Sequence, residues 1–338
     1  MLWGTYRDQD KGDSMKTNLI VLVGLQASGK STKARDLQKE YEEKYPNQKT
    51  VILSSDQIRL EHPEIANDNS KVFNKLYADM NYWLRQGDNV IIDSTAITIK
   101  SRKQIFLNLK EDCYKICYIM NTPYELCELR LELRNKEEDS HKVPHEALET
   151  YYHSFEIPFK EEGWDKIVLN NEPKLADSNF FIGNALSLAK GFNQQNKHHT
   201  QDLGTHMETV WKNLTHWTDD EILRQAAAVH DIGKLYTQTR GEDGNCHYYN
   251  HENVGAYKLM CSCGLYRVYW SDVSNEAVAE YRLEDTLKWL FYINYHMRLH
   301  QVTTEKSIKK WKSIFGEELY NDLRLFEKAD KMRPELED

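Results

Sequence analysis

Apolar positions in the first half of the chain fall into short continuous runs, whereas those in the second half recur at helical spacing. Leu19–Val23, Thr50–Leu53, Asn89–Ile92, Lys115–Met120 and Lys166–Leu169 are compact runs rich in β-branched residues and predict strands. Between them, Thr32–Lys44, Ser70–Gln86, Lys100–Glu111 and Tyr124–Asn135 predict helices. This alternation implies right-handed βαβ units and a parallel sheet. After Leu169 the pattern stops, and residues 171–180 are polar and contain Pro173, as a linker would be. From about Phe180 onward strand signal is almost absent. His206–Trp217, Glu221–His230, His251–Cys261, Glu284–Met297 and Glu317–Lys331 carry helical periodicity instead. The expected architecture is two domains: an N-terminal α/β domain with a parallel sheet over 17–170, preceded by an extension (1–16), and an all-α domain over 181–338.

A length of 338 residues accommodates two domains, each with its own core. The formal net charge of −9 argues against a protein that coats nucleic acid non-specifically. It leaves room for an enzyme that grips one end of a strand in a local basic pocket. The longest apolar run, Leu19–Leu25, is too short to cross a bilayer, so no membrane association is expected. Met1–Asp13 lacks the basic start and apolar stretch of a secretory signal, and Met15 is a candidate second start. The six cysteines are too sparse for a disulfide framework and read as reduced thiols in a cytoplasm. Cys261-Ser-Cys263 has no partner pair with which to hold a metal.

Candidate chemistry begins at Gly24-Leu-Gln-Ala-Ser28-Gly29-Lys30-Ser31-Thr32, which fits G-x-x-x-x-G-K-[ST] directly after a strand and before a helix. Glycines let the backbone wrap phosphates, with N–H groups at a helix N-terminus pointing inward. Lys30 supplies a point charge to the terminal phosphates of ATP, and the Ser31 hydroxyl completes a Mg²⁺ shell. Ser55-Asp56-Gln-Ile-Arg59 ends the second predicted strand, on the sheet edge where open α/β folds bind ligands. A phosphoryl acceptor needs a carboxylate to take its hydroxyl proton, and a nearby Arg can hold an acceptor phosphate. Asp93, in Val-Ile-Ile-Asp93-Ser-Thr95, shares that edge as a candidate for Mg²⁺ or the acceptor.

These residues, with Leu133-Arg134-Asn135, Lys142-Val143-Pro144 and Phe155-Glu156-Ile157-Pro158, resemble the 5′-hydroxyl polynucleotide kinase family. The resemblance implies that Asp56 is the general base, that Arg59 contacts the acceptor phosphate and that Arg134 belongs to a lid over the ATP phosphates. The family's second lid arginine is replaced here by Glu138, and a carboxylate cannot stabilise a transferring phosphoryl group. Arg130, Lys136 and Lys142 are the candidate substitutes; the alternatives are a lid in a different register, or a kinase that is weak or uses another acceptor.

In the second half, Ala226-Ala-Ala-Val-His230-Asp231-Ile-Gly233-Lys234 sets adjacent His and Asp at the end of an apolar helix. Burying an ionised Asp is costly without a cation, and a metal solves the problem. Imidazole and carboxylate together suit Mn, Fe, Co, Ni or Zn. Further candidates sit on separate helices: His206 at the start of one, His251 opening another, His296 ending a third and Asp330 closing a fourth. His198 and His199 rival His206, His300 rivals His296, and His247 reads as a loop residue. The order H…HD…H…H…D resembles the HD metal-dependent phosphohydrolase superfamily, which is all-helical. That resemblance implies one metal on His206, His230, Asp231 and Asp330, and a second on Asp231, His251 and His296. It implies further that the metals activate a water, with Lys234 facing the developing negative charge.

Together the two resemblances imply a bifunctional enzyme that heals broken nucleic-acid ends, of RNA foremost or of DNA, for a separate ligase. The kinase would phosphorylate a 5′-hydroxyl, and the second domain would open or remove a 2′,3′-cyclic or 3′-phosphate. Two other readings fit the same motifs: a kinase and phosphohydrolase acting on mononucleotides, and a nucleotide-gated regulator of the HD domain.

Overall fold

The computed structural model describes residues 16–137, 142–195, 201–271 and 276–332. Glu138, His198, His199, Met15 and the segment Met1–Asp13 lie outside the described residues. The first half is a parallel sheet of five strands, β1 (Asn18–Val23), β2 (Thr50–Ser54), β3 (Asn89–Asp93), β4 (Tyr114–Ile119) and β5 (Lys166–Leu169), in the order β2-β3-β1-β4-β5. Its helices are α1 (Lys30–Lys44), α2 (Ser55–Glu61), α3 (Asn69–Arg85), α4 (Ile99–Asn108), α5 (Tyr124–Lys136) and α6 (His145–His153). The central strand β1 shows why this sheet has two covered faces. Ile20 and Leu22 join Ala34 and Leu37 of α1 in one cluster, while Leu19, Val21 and Val23 point into the main core. Every strand expected from the sequence forms, with ends shifted by a residue at most.

The second half is helical: α7 (Leu175–Ala189), α8 (Leu203–Thr215), α9 (Glu221–Ala227), α10 (Lys234–Thr237), α11 (His251–Ser262), α12 (Leu283–Tyr295) and α13 (Glu305–Lys331). Three features depart from the sequence reading. Helix α7 begins inside the stretch expected as a linker, because the apolar positions that bury it lie beyond its polar first turn. A short ladder, β6 (Thr239–Arg240) with β7 (Cys246–His247), and a hairpin, β8 (Tyr266–Ser271) with β9 (Glu276–Tyr281), stand where almost no strand was expected. Such brief alternating segments carry little periodic signal between long helices. Helix α13 starts earlier than its apolar pattern, at a Thr304 capping box, and bends at Gly316, whose φ of 78° is left-handed. Among the described residues no helix is long and apolar enough to cross a membrane.

The halves share one core. Phe159 of the first half packs edge-on against Phe291, Tyr295 and Phe315 of the second, with ring centroids 5.0, 5.7 and 5.7 Å apart. Around this aromatic cluster the backbone groups of Phe155 and Ile157 meet side chains of α12. Ile157 N donates to Asn294 Oδ1 (2.8 Å), Asn294 Nδ2 donates to Phe155 O (3.2 Å), and Tyr295 Oη donates to Ile157 O (2.8 Å). A second strut runs along α11, where Asn253 Nδ2 reaches His153 O at 2.8 Å and Tyr257 Oη reaches Thr122 O at 2.7 Å.

Candidate active sites

The phosphate loop is a sharp turn between β1 and α1. Ala27 (φ 57°) and Gly29 (φ 93°) are both left-handed, which curls the loop around the N-terminus of α1. A Cβ on Gly24 would lie 2.7 Å from Met120 Cβ and 2.8 Å from Ser28 Oγ, so only glycine fits where the strand enters the turn. The Thr122 hydroxyl donates to Ser28 O (2.8 Å) and braces the loop from the segment that follows β4. Lys30 is buried, and its ammonium donates to Leu25 O (2.7 Å) and Gly24 O (3.2 Å). Burial lowers its pKa, against the opposing pull of Asp93 and Asp56, so a polyanion would relieve a charge the fold leaves poorly compensated.

A cavity of about 1030 Å³ opens over this loop and crosses the C-terminal edge of the sheet. It gathers Ser28 to Thr32, Asp56, Arg59, Asp93, Arg130, Arg134 and Lys142. Asp56 lies in the first turn of α2, which is capped by Ser54 rather than by Asp56 itself, so its exposed carboxylate is left to the cavity. The Arg59 guanidinium is held by Ala66 O and by Asn69 Oδ1 (2.6 Å). On the opposite wall Arg130 Nη1 reaches Ala27 O at 3.5 Å. Of the three candidate substitutes for the second lid arginine, Arg130 and Lys142 line the cavity and Lys136 does not.

The six metal-ligand candidates of the second half converge from five parts of the chain. His230 and Asp231 do not end α9, as the pattern suggested. They follow it on successive tight turns closed by Ile232 N to Val229 O and Lys234 N to Asp231 O. Asp231 stands at the centre. Its Oδ2 is 3.3 Å from His206 Nε2 and 3.5 Å from His230 Nε2, and its Oδ1 is 2.9 Å from His251 Nε2 and 3.5 Å from His296 Nε2. Asp330 Oδ1 closes the first group, 3.1 Å from His206 Nε2 and 3.5 Å from His230 Nε2. Two sets therefore share Asp231: His206, His230 and Asp231, and Asp231, His251 and His296.

Each ring is aimed. His230, His251 and His296 donate Nδ1–H to the carbonyls of Ala227, Tyr248 and Ile293, at 2.8, 2.8 and 2.7 Å. That bond selects the tautomer whose Nε2 lone pair faces inward. The inward atoms of His251 and His296 are only 3.4 Å apart and both face a carboxylate oxygen, an electron-rich trio that a cation satisfies. His230 Nε2 is buried with no hydrogen-bond partner among the described residues. The donor set therefore fits one or two divalent metal ions.

Electrostatics agree. Burial alone would raise the Asp231 pKa, but the Lys234 ammonium 2.6 Å away, His230 and the bonds from His206 and His251 hold it well below the carboxylate range. His206, which burial alone would depress, is raised to about 9 by its bonds to Asp231 and Asp330.

A sequence profile of the family described as chromatin-associated protein KTI12 matches residues 17–250. The chain belongs to the KTI12 family. The family match takes in the phosphate loop, Asp56, His206, His230 and Asp231, and ends one residue before His251. The L-seryl-tRNA(Sec) kinase of Methanococcus maripaludis is 29% identical over 156 residues, 44% of this chain. The chain spans 56% of the length of that curated relative. Two structures of the Pnkp1/Rnl/Hen1 complex, the first described as an RNA repair complex, are 22% and 21% identical. They cover 41% and 40% of this chain and 44% and 45% of theirs, at TM-scores of 0.35 and 0.30.

In this KTI12-family chain several neighbours of the sites carry no sequence signal. Buried Gln194 accepts from Lys234 Nζ at 3.0 Å across a span of 40 residues. His300 is not an alternative to His296: its Nε2 lies 3.3 Å from Asp330 Oδ2, the oxygen that faces away from the cluster. Asn69, which holds Arg59, and Phe73 enter the cavity from α3. Gly233 explains the glycine after His-Asp-Ile, because a Cβ there would sit 1.9 Å from His251 O.

Proposed function

We propose that the chain is a bifunctional end-healing enzyme. Its first half transfers the γ-phosphoryl of ATP to a 5′-hydroxyl, and its second is an HD-type phosphohydrolase acting on a 2′,3′-cyclic or 3′-terminal phosphate. The reading rests chiefly on one observation, that Asp56 and Arg59 share a cavity with the phosphate loop. In it Lys30 binds the terminal phosphates, Ser31 completes a Mg²⁺ shell with Asp93 beside it, and Asp56 takes the proton of the attacking hydroxyl. Arg59 holds the acceptor phosphate, and Arg130, Arg134 and Lys142 face the charge that spreads over the phosphoryl oxygens. In the helical half, His206, His230, Asp231 and Asp330 would hold one metal (Mn, Fe, Co, Ni or Zn), and Asp231, His251 and His296 a second. Such ions supply Lewis acidity toward a phosphoester and its attacking water. Lys234 balances the charge of Asp231. A healed end is a ligase substrate, so a separate ligase acts next, on RNA in preference to DNA.

A second reading follows from the Methanococcus relative: the acceptor hydroxyl sits on an aminoacyl-tRNA instead of a strand end. Labelled phosphate decides. Transfer from ATP to a 5′-hydroxyl oligonucleotide, with opening of a cyclic phosphate on the other end of a nicked RNA hairpin, is the expected result. Transfer only to seryl-tRNA establishes the second reading, and transfer only to nucleosides makes this a mononucleotide enzyme. Lys30→Ala should abolish transfer and leave 3′-end processing intact, and Asp231→Ala should do the reverse with loss of bound metal. Unchanged metal content in Asp231→Ala would remove the second activity from the proposal.

A further inference from the structure

At the acceptor end of the cavity one residue is out of character. At the β2 edge of the sheet its wall is built from Ser55, Asp56, Arg59, Asn69 and Asp93, all polar, together with the half-buried ring of Phe73. Asn69 and Phe73 are four residues apart on α3 and so lie on one helical face. Asn69 anchors Arg59, and Phe73 stands one turn further along, about 6 Å away. That separation is comparable to the distance between a nucleotide's backbone phosphate and its base.

Sheet order says which substrate this wall meets. The phosphate loop follows β1 at the centre of the order β2-β3-β1-β4-β5. Asn170 and Asn171, after β5, line the other end of the same cavity, and α2 and α3 follow β2. With the transferring phosphoryl between Lys30 and Asp56, the donor nucleoside extends toward β4 and β5 and the acceptor toward α3. Phe73 has an aromatic neighbour on its own helix, Tyr77, with ring centroids 6.1 Å apart. The part of its ring left exposed beside the polar wall gains nothing in water, whereas covering it with a flat apolar face removes that surface from solvent.

We infer that Phe73 is a specificity-determining residue for the acceptor, stacking the base of the 5′-terminal nucleotide while Asn69-held Arg59 grips the phosphate that follows. The inference rests on the 5′-hydroxyl kinase reading and narrows it to acceptors that carry a nucleobase at the end. Stacking on an aromatic ring tolerates every base, so the subsite selects for a base without selecting its identity.

The test is steady-state transfer from ATP to two oligonucleotides, one ordinary and one whose 5′-terminal nucleotide is abasic, with nucleotide binding measured separately. Wild type should show a KM for the abasic acceptor roughly tenfold above that for the ordinary one. Phe73→Ala should erase the difference by raising the KM for the ordinary acceptor, with the KM for ATP unchanged, and Phe73→Trp should restore it. Equal KM values for the two acceptors in wild type overturn the inference and leave the kinase reading standing. A raised KM for ATP in Phe73→Ala overturns it too, since the ring would then serve the donor. Failure of wild type to phosphorylate either oligonucleotide, while still binding ATP, overturns the kinase reading and the inference with it.

Discussion

At the scale of single residues, the metal cluster depends as much on what is small as on what ligates. Gly233 and Gly255 let the turn carrying His230 and Asp231 lie directly on the first turns of α11. A Cβ at Gly233 would be 1.9 Å from His251 O and 2.8 Å from Gly255 N. Both obstacles are backbone, so α11 itself must move, and His251 with it. Gly233→Ala should therefore cost about 1–3 kcal/mol in stability, as overpacking does. It should also abolish manganese binding in a titration although no proposed ligand is altered. Retention of wild-type affinity would show that the two turns are not held in register by this contact. The residue types at this site were legible in the chain, since His-Asp before Ile-Gly is a poor way to pack a core. His300 was legible only as a rival to His296. Its place on the outer oxygen of Asp330 depends on where α13 crosses the turn after α12, which no local pattern encodes.

At the scale of elements, the parallel sheet follows from runs of β-branched residues, and one buried ion pair ties two of the segments that flank it. Arg102 of α4 and Glu162, in the short 3-10 turn Lys160–Glu162, are both buried and meet through two hydrogen bonds at 2.6 and 2.7 Å. Arg102 also donates to the carbonyls of Ala96 and Glu156. The pair ties the segment after β3 to the segment before β5. Removing one partner leaves the other charge buried, so Glu162→Gln should cost about 3–5 kcal/mol in chemical denaturation. A change near zero would mean that water reaches the guanidinium. Nothing in the spacing of Arg102 and Glu162 announces the pair, because it joins elements 60 residues apart. The β8–β9 hairpin was unreadable for the opposite reason. Its alternation is local, yet too brief to stand out against helical neighbours.

At the scale of the whole molecule, the two halves are expected to unfold together. Phe155, Ile157 and Phe159 are buried in the same cluster as Tyr257, Phe291 and Phe315, so a cut within 171–180 would expose apolar surface on both pieces. Thermal unfolding of the intact chain should give one transition by both far-ultraviolet dichroism and tryptophan fluorescence. Two separated transitions would show that the shared core is energetically minor. Asn294 concentrates this dependence, because its side chain also donates to Asn253 Oδ1 at 2.9 Å. Asn294→Ala leaves Ile157 N, Phe155 O and Asn253 Oδ1 without that partner. A loss of about 1–3 kcal/mol for each buried group left unsatisfied is expected, read as a shift in the midpoint of the whole transition. The same struts run close to both chemical centres. Asn294 is two residues before His296, and Tyr257, six residues after His251, bonds the Thr122 carbonyl beneath the phosphate loop.

The chain by itself determined what depends on neighbours in sequence. These are the five strands, most of the helices, the phosphate loop between strand and helix, and the residue types able to bind phosphate or metal. Periodicity and motif spacing are short-range quantities, and local backbone preference reads them directly. Tertiary structure alone decided which histidine nitrogen faces which carboxylate, which cations reach the cavity, and that the two halves share a core instead of meeting across a linker. Those outcomes depend on contacts between residues as far apart as Ile157 and Asn294, made only when the whole chain has packed.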